Sequence, residues 1–359
     1  MLIPTEPIGS IPRPQELIQA FKKWETGGLP DGVMHQIAEE ALADTIQRFE
    51  QTASPIITDG EQTKPSFATY PVHRATNIAP DGVSIPFADG HTRQLPRLTA
   101  GPFRYTTYAA TYLLAAKKFA NRPLKQAVIS ASALSLLYPA EGIPDYSRAQ
   151  FLDDLVEEAV KDIRGCLDAG AAMVQIDFTE GRLALKLDPS GALLNQFIEL
   201  NNRVLDHLSH QERFRVGVHS CPGGDLDATH SADVNYAELL PALFRLNVTN
   251  FYLQMASEQN REHVLEQIAN LITPRQRVFV GVIDPITPRL ETVEEVRDRV
   301  LQAARYIPLD QLGTTDDCGF SPFLDDVSTA RDLAFAKIAV RVEGTALASK
   351  RLHSSSAAV

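Results

Sequence analysis

Eight short apolar runs, each followed by a stretch with helical spacing, constrain the fold of this 359-residue chain more than any other feature. Strands that alternate with helices predict a parallel sheet, because parallel neighbours need a crossover connection. Eight such units are typical of a single (β/α)8 TIM barrel, and we expect this α/β fold for residues 1–350. The runs occupy residues 7–11, 55–59, 126–130, 173–177, 215–219, 250–254, 278–284 and 311–315.

The helical pattern between the runs is clearest at 147–170, where apolar residues recur on one face of the expected helix. Similar patterns occur at 294–304 and 328–342. An open doubly wound sheet is the alternative fold. The glycine-rich G-x-G-x-x-G turn typical of its nucleotide-binding members does not follow the first run, so we prefer the barrel.

One connection, residues 63–125 after the second run, is far longer than a strand-to-helix connection requires. Within it, residues 84–87 and 92–95 flank the turn 88–91 and predict an excursion hairpin. This insertion is either a surface decoration or a wall over the barrel mouth, and the sequence favours neither. At the other end of the chain, we expect residues 351–359 to form a flexible tail.

Composition excludes several classes of function. The net charge is -11 and Lys and Arg are not clustered, which argues against a nucleic-acid surface. The sequence contains no apolar run long enough to span a membrane and no signal-peptide pattern at its start. The chain has 3 Cys, an odd number that fits a reducing compartment, so we expect a cytoplasmic protein.

Polar residues collect where the apolar runs end, which is the face of a barrel that carries active sites. A lone polar residue there means little, but the set contains several residue types that bind metals or substrates. The candidates are Gly9, Ser10, Glu61, Asp177, His219, Cys221, Gln254 and Cys318.

Three of these candidates predict a metal site. His219 and Cys221 are two residues apart at the end of one run, so their side chains face the same side. Cys318 ends the last run, which barrel closure brings back beside the first. A His with two Cys and an open fourth position is typical of a catalytic zinc. We interpret Cys166, on the apolar helix face, as a core residue.

Taken together, these motifs resemble the catalytic C-terminal barrel of cobalamin-independent methionine synthase. The resemblance extends from about residue 6 to residue 345. It implies a zinc-dependent (β/α)8 methyltransferase of methionine biosynthesis, which activates homocysteine for methylation by 5-methyltetrahydropteroyltriglutamate. The matching stretches are Ile8-Gly-Ser-Ile-Pro12, Asp59-Gly-Glu61, Val174-Gln-Ile-Asp177, His219-Ser-Cys221 and Asp316-Asp-Cys-Gly-Phe320.

The same resemblance implies roles for the candidate residues. His219, Cys221 and Cys318 would bind zinc as the cofactor. Glu61 and Asp177 would act as the catalytic carboxylates that hold the amino group of the thiol substrate. By their positions, the resemblance places the other candidates in the substrate-binding set: Gly9, Ser10 and Gln254.

The sequence also departs from the family pattern. The family enzyme has a second, N-terminal barrel that this sequence lacks. We therefore expect this chain to be a core-domain version of the family enzyme. A Glu that serves the family as fourth zinc ligand is replaced by Gln254, and Glu258 follows nearby. The family's His proton donor has no equivalent in residues 283–287, and its folate-stacking Trp is missing from 132–138. Thiol activation is therefore better supported than use of a folate donor.

Several functions remain open. The leading hypothesis is a zinc-dependent thiol alkyltransferase whose partners are a small-molecule thiol and a methyl or alkyl donor. The first alternative keeps the zinc but uses an epoxide, as in the related epoxyalkane:coenzyme M transferases, or a methyl corrinoid on a partner protein. Further alternatives are a metal-free barrel related to uroporphyrinogen decarboxylase and a non-enzymatic zinc- or thiol-binding protein. Homo-oligomer formation is left open.

Overall fold

The computed structural model describes residues 2–356, in which strands and helices alternate along the chain. The strands are β1 Ile78–Ala79, β2 Ser84–Pro86, β3 Thr92–Gln94, β4 Arg97–Leu98, β5 Lys125–Ile129, β6 Met173–Asp177, β7 Val216–Ser220, β8 Gly224–Asp225, β9 Ala228–Thr229, β10 Asn250–Leu253, β11 Arg277–Ile283 and β12 Leu312–Asp316. The helices are α1 Gln15–Glu25, α2 Asp31–Gln51, α3 Ala110–Lys117, α4 Ala131–Ser135, α5 Arg148–Asp168, α6 Glu180–Leu187, α7 Ala192–Asp206, α8 His210–Phe214, α9 Tyr236–Leu243, α10 Arg261–Leu271, α11 Val293–Ala303 and α12 Arg331–Ser356.

A six-stranded sheet in the order β12-β11-β10-β7-β6-β5 forms the centre of the protein. All neighbours in it are parallel, and nearly every strand residue is buried. Parallel sheets are covered on both faces, which explains why these strands read as continuous apolar runs. The predicted α/β class is confirmed, and each of the six strands lies within one residue of a predicted run.

The first two predicted strands, 7–11 and 55–59, are not strands in the structure. A residue in or near each segment forms a single parallel bridge at one edge of the sheet. Thr5 pairs with Thr314 of β12, and Ile57 pairs with Leu124 just before β5. Prolines at positions 4, 7, 12 and 55 remove backbone donors from both segments, so neither can extend its ladder. Closure of the sheet into an eight-stranded (β/α)8 barrel therefore stays a prediction.

Helices cover the sheet, and their first residues show why they begin where they do. Ser147 and Gln150 form a reciprocal capping box at the start of α5, and Thr292 and Glu295 form another at α11. One continuous apolar core joins these helices to the sheet. The final helix, α12, includes residues 351–356 of the predicted tail, while 357–359 lie outside the described residues. The predicted single domain, 1–350, is not tested by these features.

The long insertion at 63–125 contains the hairpin expected from the sequence. Strand β2 pairs with β3 in antiparallel register, with Ser84 opposite Gln94. The rest of the insertion is anchored on α5 by two buried carboxylates. Asp162 accepts hydrogen bonds from the Tyr70 hydroxyl and the Ala109 N–H, and Glu158 accepts one from the Tyr105 N–H. The insertion is thus packed on the protein body through specific hydrogen bonds.

Within residues 2–356, no helix has both the length and the apolar character needed to cross a membrane.

Candidate active site

The three predicted metal ligands converge in the structure. One ligand atom from each of His219, Cys221 and Cys318 lies within 4.8 Å of the others, and all three side chains are buried. The Sγ atoms of Cys221 and Cys318 are 3.0 Å apart although 97 positions separate them in sequence. The structure therefore brings together the set that sequence spacing and strand-end placement predicted.

The sheet positions this cluster. His219 lies in β7 directly opposite Asp177 of β6, and Cys221 follows the end of the same strand. Cys318 follows β12, and its neighbour Asp317 fixes the local backbone. The Asp317 carboxylate accepts hydrogen bonds of 2.7 to 2.8 Å from the N–H groups of residues 255–257 after β10. Separate strand ends are thereby locked at one edge of the sheet.

The cluster has the chemistry of a metal site. Neither ring nitrogen of His219 has a hydrogen-bond partner among the described residues, although both are buried. Such orphaned atoms are costly unless something binds them. Burial raises the pKa of the Cys221 thiol, whereas the hydrogen bond from Cys221 lowers the pKa of Cys318. One nitrogen and two sulfurs within reach of one ion form a donor set that suits zinc.

Two carboxylates, Glu61 and Asp177, border the same cavity as His219 and Cys318. Lys64 donates to Glu61 over 3.1 Å, and both side chains are almost fully buried. Gln175 donates to the Asp177 carboxylate over 2.7 Å. Burial, reinforced by the Glu61 charge, raises the pKa of Asp177 to about 7, although His219 acts in the opposite direction. A cationic group bound beside Asp177 would favour its ionised form.

The other predicted substrate residues are placed unequally. Ser10 lines the cavity, and its Oγ accepts a hydrogen bond from the Ser321 N–H. The carbonyl of Gly9 instead accepts a hydrogen bond from Thr58, and Gly9 is not among the described lining residues. Gln254 is held by Arg182, which donates to its Oε1 over 2.8 Å, and Gln254 donates in turn to Ser257. Direct substrate contacts by Gly9 and Gln254 remain predictions.

Two chemically different sets of residues line the cavity, and each is given a name here by its chemistry. We call the residues Ser10, Glu61, Asp177, His219 and Cys318 its polar end. The apolar end comprises side chains of the hairpin, of residues 134–137 and of α6. Its members are Ile85, Phe87, Leu95, Leu134, Leu136, Leu137 and Leu183.

The hairpin is held over the apolar end by one buried carboxylate, Asp225. Arg93 of the hairpin donates to both Asp225 oxygens, one contact measuring 3.0 Å, and the His91 ring lies 3.0 Å from the same group. Asp225 belongs to the loop that follows Cys221. Of the two roles that the sequence leaves open for the insertion, the structure therefore supports a wall of the cavity and not a surface decoration.

His230 also reaches the cavity from the loop after Cys221. Its ring packs edge-on against Phe87, with centroids 5.4 Å apart. A Cβ at Gly223, which has a φ of +70°, would lie 1.8 Å from His230 Nε2, so only glycine fits there. Burial lowers the pKa of His230 to about 4, and the ring is neutral at pH 7.

Glu180 is a site residue that the sequence analysis misses, although it stands just after the fourth predicted strand. It is buried, lines the cavity and accepts hydrogen bonds from the hydroxyls of Ser130, over 2.6 Å, and Ser132. Burial raises the pKa of Glu180 to about 7, against the opposing effect of these hydrogen bonds. Its position after a strand end is the available signal, but nothing in the sequence shows that two serines surround it.

Comparison with known families identifies the group to which these features belong. The family model described as "Cobalamin-independent synthase, Catalytic domain" matches residues 3–331. The chain belongs to this family. The resemblance inferred from the motifs is thereby confirmed, and with it, at the level of the family, the predicted enzyme class of methyltransferase.

Individual relatives within this family are distant. A protein named methionine synthase from Pyrococcus horikoshii is 22% identical over 353 residues, covering 98% of this chain and 94% of the relative. A 5-methyltetrahydropteroyltriglutamate–homocysteine methyltransferase from Acidithiobacillus ferrooxidans is also 22% identical, but the match covers only 38% of its length and 88% of this chain. The family thus includes relatives of this chain's length and much longer ones.

A solved structure of the family shows the same fold. A B12-independent methionine synthase from Shewanella sp. W3-18-1, determined in complex with selenomethionine, superposes with a TM-score of 0.77. The alignment covers 99% of this chain and 100% of that chain at 19% sequence identity. At this identity, the similarity supports the shared architecture.

Proposed function

We propose that this protein is a zinc-dependent thiol alkyltransferase that methylates homocysteine or a similar amino-acid thiol. One observation carries the proposal: His219 and Cys318 of a buried His-Cys-Cys donor set line the same cavity as two buried carboxylates. The names of the family relatives, methionine synthase and homocysteine methyltransferase, support the same substrate and reaction.

His219, Cys221 and Cys318 would hold the zinc. A free thiol is mostly protonated at neutral pH, and zinc supplies the chemistry that deprotonates it on binding. Three protein donors would leave the zinc free to bind the substrate sulfur as well. The Gly223 N–H donates to the Cys221 sulfur over 3.4 Å and would stabilise negative charge on that ligand.

Asp177 and Glu61 would orient the thiol through its ammonium group. Both carboxylates line the cavity that His219 and Cys318 line, so an amino-acid thiol could bind at both points together. Charge-assisted hydrogen bonds from an ammonium group to carboxylates are strong and directional. Their role would be to hold the sulfur in line with the donor carbon. Ser10, on the same side of the cavity, supplies a further polar contact.

The apolar end supports a second candidate, in which the alkyl donor is not a folate. Leucines and Phe87 form the wall that faces a donor, and Trp24 packs against Phe21 in α1, outside the described lining. An epoxide or a small apolar alkyl donor would match this wall. A methyl corrinoid would have to reach the same cavity from a partner protein. These alternatives share the zinc and the thiol with the leading proposal.

The first experiment is to measure zinc per chain and to record X-ray absorption with and without homocysteine. We expect one zinc whose shell contains two sulfurs from the protein and gains a third when homocysteine is added. A protein that binds no zinc, or whose zinc shell does not change with the thiol, would contradict the proposal and favour a metal-free or regulatory function.

A further inference from the structure

Glu180 holds its two carboxylate oxygens in different surroundings. Oε1 accepts from the hydroxyls of Ser130 and Ser132. Those hydroxyls are themselves oriented, because the Ala133 N–H donates to Ser130 Oγ over 3.0 Å and the Asn201 amide donates to Ser132 Oγ over 2.7 Å. Oε2 is buried and has no partner in the part of the chain that the structure describes.

This asymmetry decides where a proton resides on Glu180. Two O–H donors occupy the lone pairs of Oε1, so the proton of the neutral acid belongs on Oε2. Since Oε2 donates to no described acceptor, that proton is available to a group brought into the cavity. Burial also raises the pKa of Glu180 to about 7, and a substantial fraction of the side chain is protonated at neutral pH.

Glu180 lines the same cavity as His219 and Cys318. It begins α6, the helix that contributes Leu183 to the apolar end, and its serine partners lie at the start of α4, which contributes Leu134. A donor that binds in this cavity together with the thiol would therefore share it with the Glu180 carboxyl group.

We propose that Glu180 gives its Oε2 proton to the leaving atom of the alkyl donor; this rests on the thiol alkyltransferase function proposed above. The thiolate sulfur forms a bond to the donor's alkyl carbon while the bond from that carbon to nitrogen or oxygen breaks. The electron pair of the broken bond goes to the leaving atom, which takes the proton from Glu180. Water then reprotonates the carboxylate.

This assignment defines the class of donor. Nitrogen and oxygen leave poorly without a proton, so a general acid accelerates their departure. A sulfonium leaves as a neutral thioether and iodide leaves as a stable anion, and neither needs a proton. The donor is therefore an N-alkyl or O-alkyl compound whose body fits an apolar wall.

The test compares Glu180→Gln with the wild-type zinc-loaded enzyme, using homocysteine and donors that differ in their leaving atom. The probes are 5-methyltetrahydrofolate and anisole, which need a proton, and S-methylmethionine and methyl iodide, which do not. We expect the variant to lose at least about 100-fold in kcat with each proton-requiring donor that the wild type uses, and to transfer from methyl iodide at the wild-type rate. His230→Gln is the matched control, because His230 is a second buried titratable side chain that lines the cavity and it packs against Phe87.

Four results would overturn the assignment. The variant could lose activity equally with every donor, which indicates a structural role, or it could retain activity with proton-requiring donors. The wild type could accept only donors that need no proton, which leaves Glu180 nothing to protonate. A leaving-group effect in His230→Gln alone would move the role to His230. Failure of the thiol function looks different: methyl iodide would then react with homocysteine no faster than without the protein.

Discussion

The polar and apolar ends of one cavity are built from different parts of the chain. Three of the five polar-end residues, Asp177, His219 and Cys318, lie in or just after strands of the parallel sheet, and the register of these strands fixes their positions. The apolar end is built from an inserted hairpin and from short segments after β5 and β6. The groups proposed to handle the thiol thus lie mainly on the central sheet, whereas the wall proposed to face the donor comes in part from the insertion.

The largest expected effect is on the polar end, where Cys318→Ser should abolish zinc binding. A serine hydroxyl is a poor zinc ligand in place of a thiolate. With only the His219 and Cys221 side chains left as ligands, we expect the variant to bind less than one zinc per chain. Metal analysis of the purified variant should give well under one zinc per chain. Cys166→Ser, a change in an equally buried cysteine on α5, should keep full zinc. Stoichiometric zinc in Cys318→Ser would remove Cys318 from the ligand set.

The next effect concerns Glu180, which begins the helix that contributes Leu183 to the apolar end, and the pH dependence of stability. The pKa of Glu180 is raised from 4.5 to about 7 in the folded protein. Between these values the native state binds more protons than the unfolded state, so the free energy of unfolding falls as pH rises. Relative to Glu180→Gln, wild type should lose up to about 3 kcal/mol between pH 4 and pH 8.

Urea unfolding of both proteins across this pH range measures the difference directly. Because Gln resembles the protonated acid, the two curves should converge at low pH and separate above it. A constant difference at every pH would mean that the pKa of Glu180 is the same in the folded and unfolded states, which would contradict the raised pKa.

Asp177→Asn tests whether the polar end recognises an ammonium group. Loss of a charge-assisted hydrogen bond costs about 1.5–3 kcal/mol, which corresponds to a KM for homocysteine raised roughly 10- to 100-fold. The control is a substrate and not a protein variant: 4-mercaptobutanoate has the same chain without the amino group. Steady-state kinetics should show no change in its KM. Equal losses with both thiols would indicate a structural role for Asp177.

The smallest effect is expected from Arg93→Gln, which removes one of the links between the hairpin and Asp225. His91 still contacts Asp225, so the hairpin should loosen but not detach. We expect a rise of about 5-fold in the KM of the alkyl donor, equivalent to ~1 kcal/mol, with the thiol KM unchanged. Arg97→Gln, whose ion pair with Asp81 lies at the surface of the same insertion, should change neither. A change in the thiol KM instead of the donor KM would contradict the proposal that the hairpin contacts only the donor.

The sequence predicts the polar end much better than the apolar end, for physical reasons. Strand periodicity and burial locate strand ends, so His219, Cys221 and Cys318 can be grouped from the order of the residues alone. The prediction of strands at 7–11 and 55–59 is wrong because it followed the apolar character of these segments. Their prolines remove the backbone donors that strand pairing needs. Glu180 and Arg93 depend on contacts with residues 48 to 132 positions away. No local pattern encodes such pairings.

The attachment of the hairpin has a consequence for how such a protein can change over time. Its residues contact the rest of the protein through Asp225, His230, Asp325 and Phe323, and none of the three predicted metal-binding side chains comes from it. Under the proposed function, substitutions in 84–95 would alter which alkylating reagent is admitted and leave the thiol-activating residues intact. One alkylating substrate could then be exchanged for another through changes in this short stretch alone.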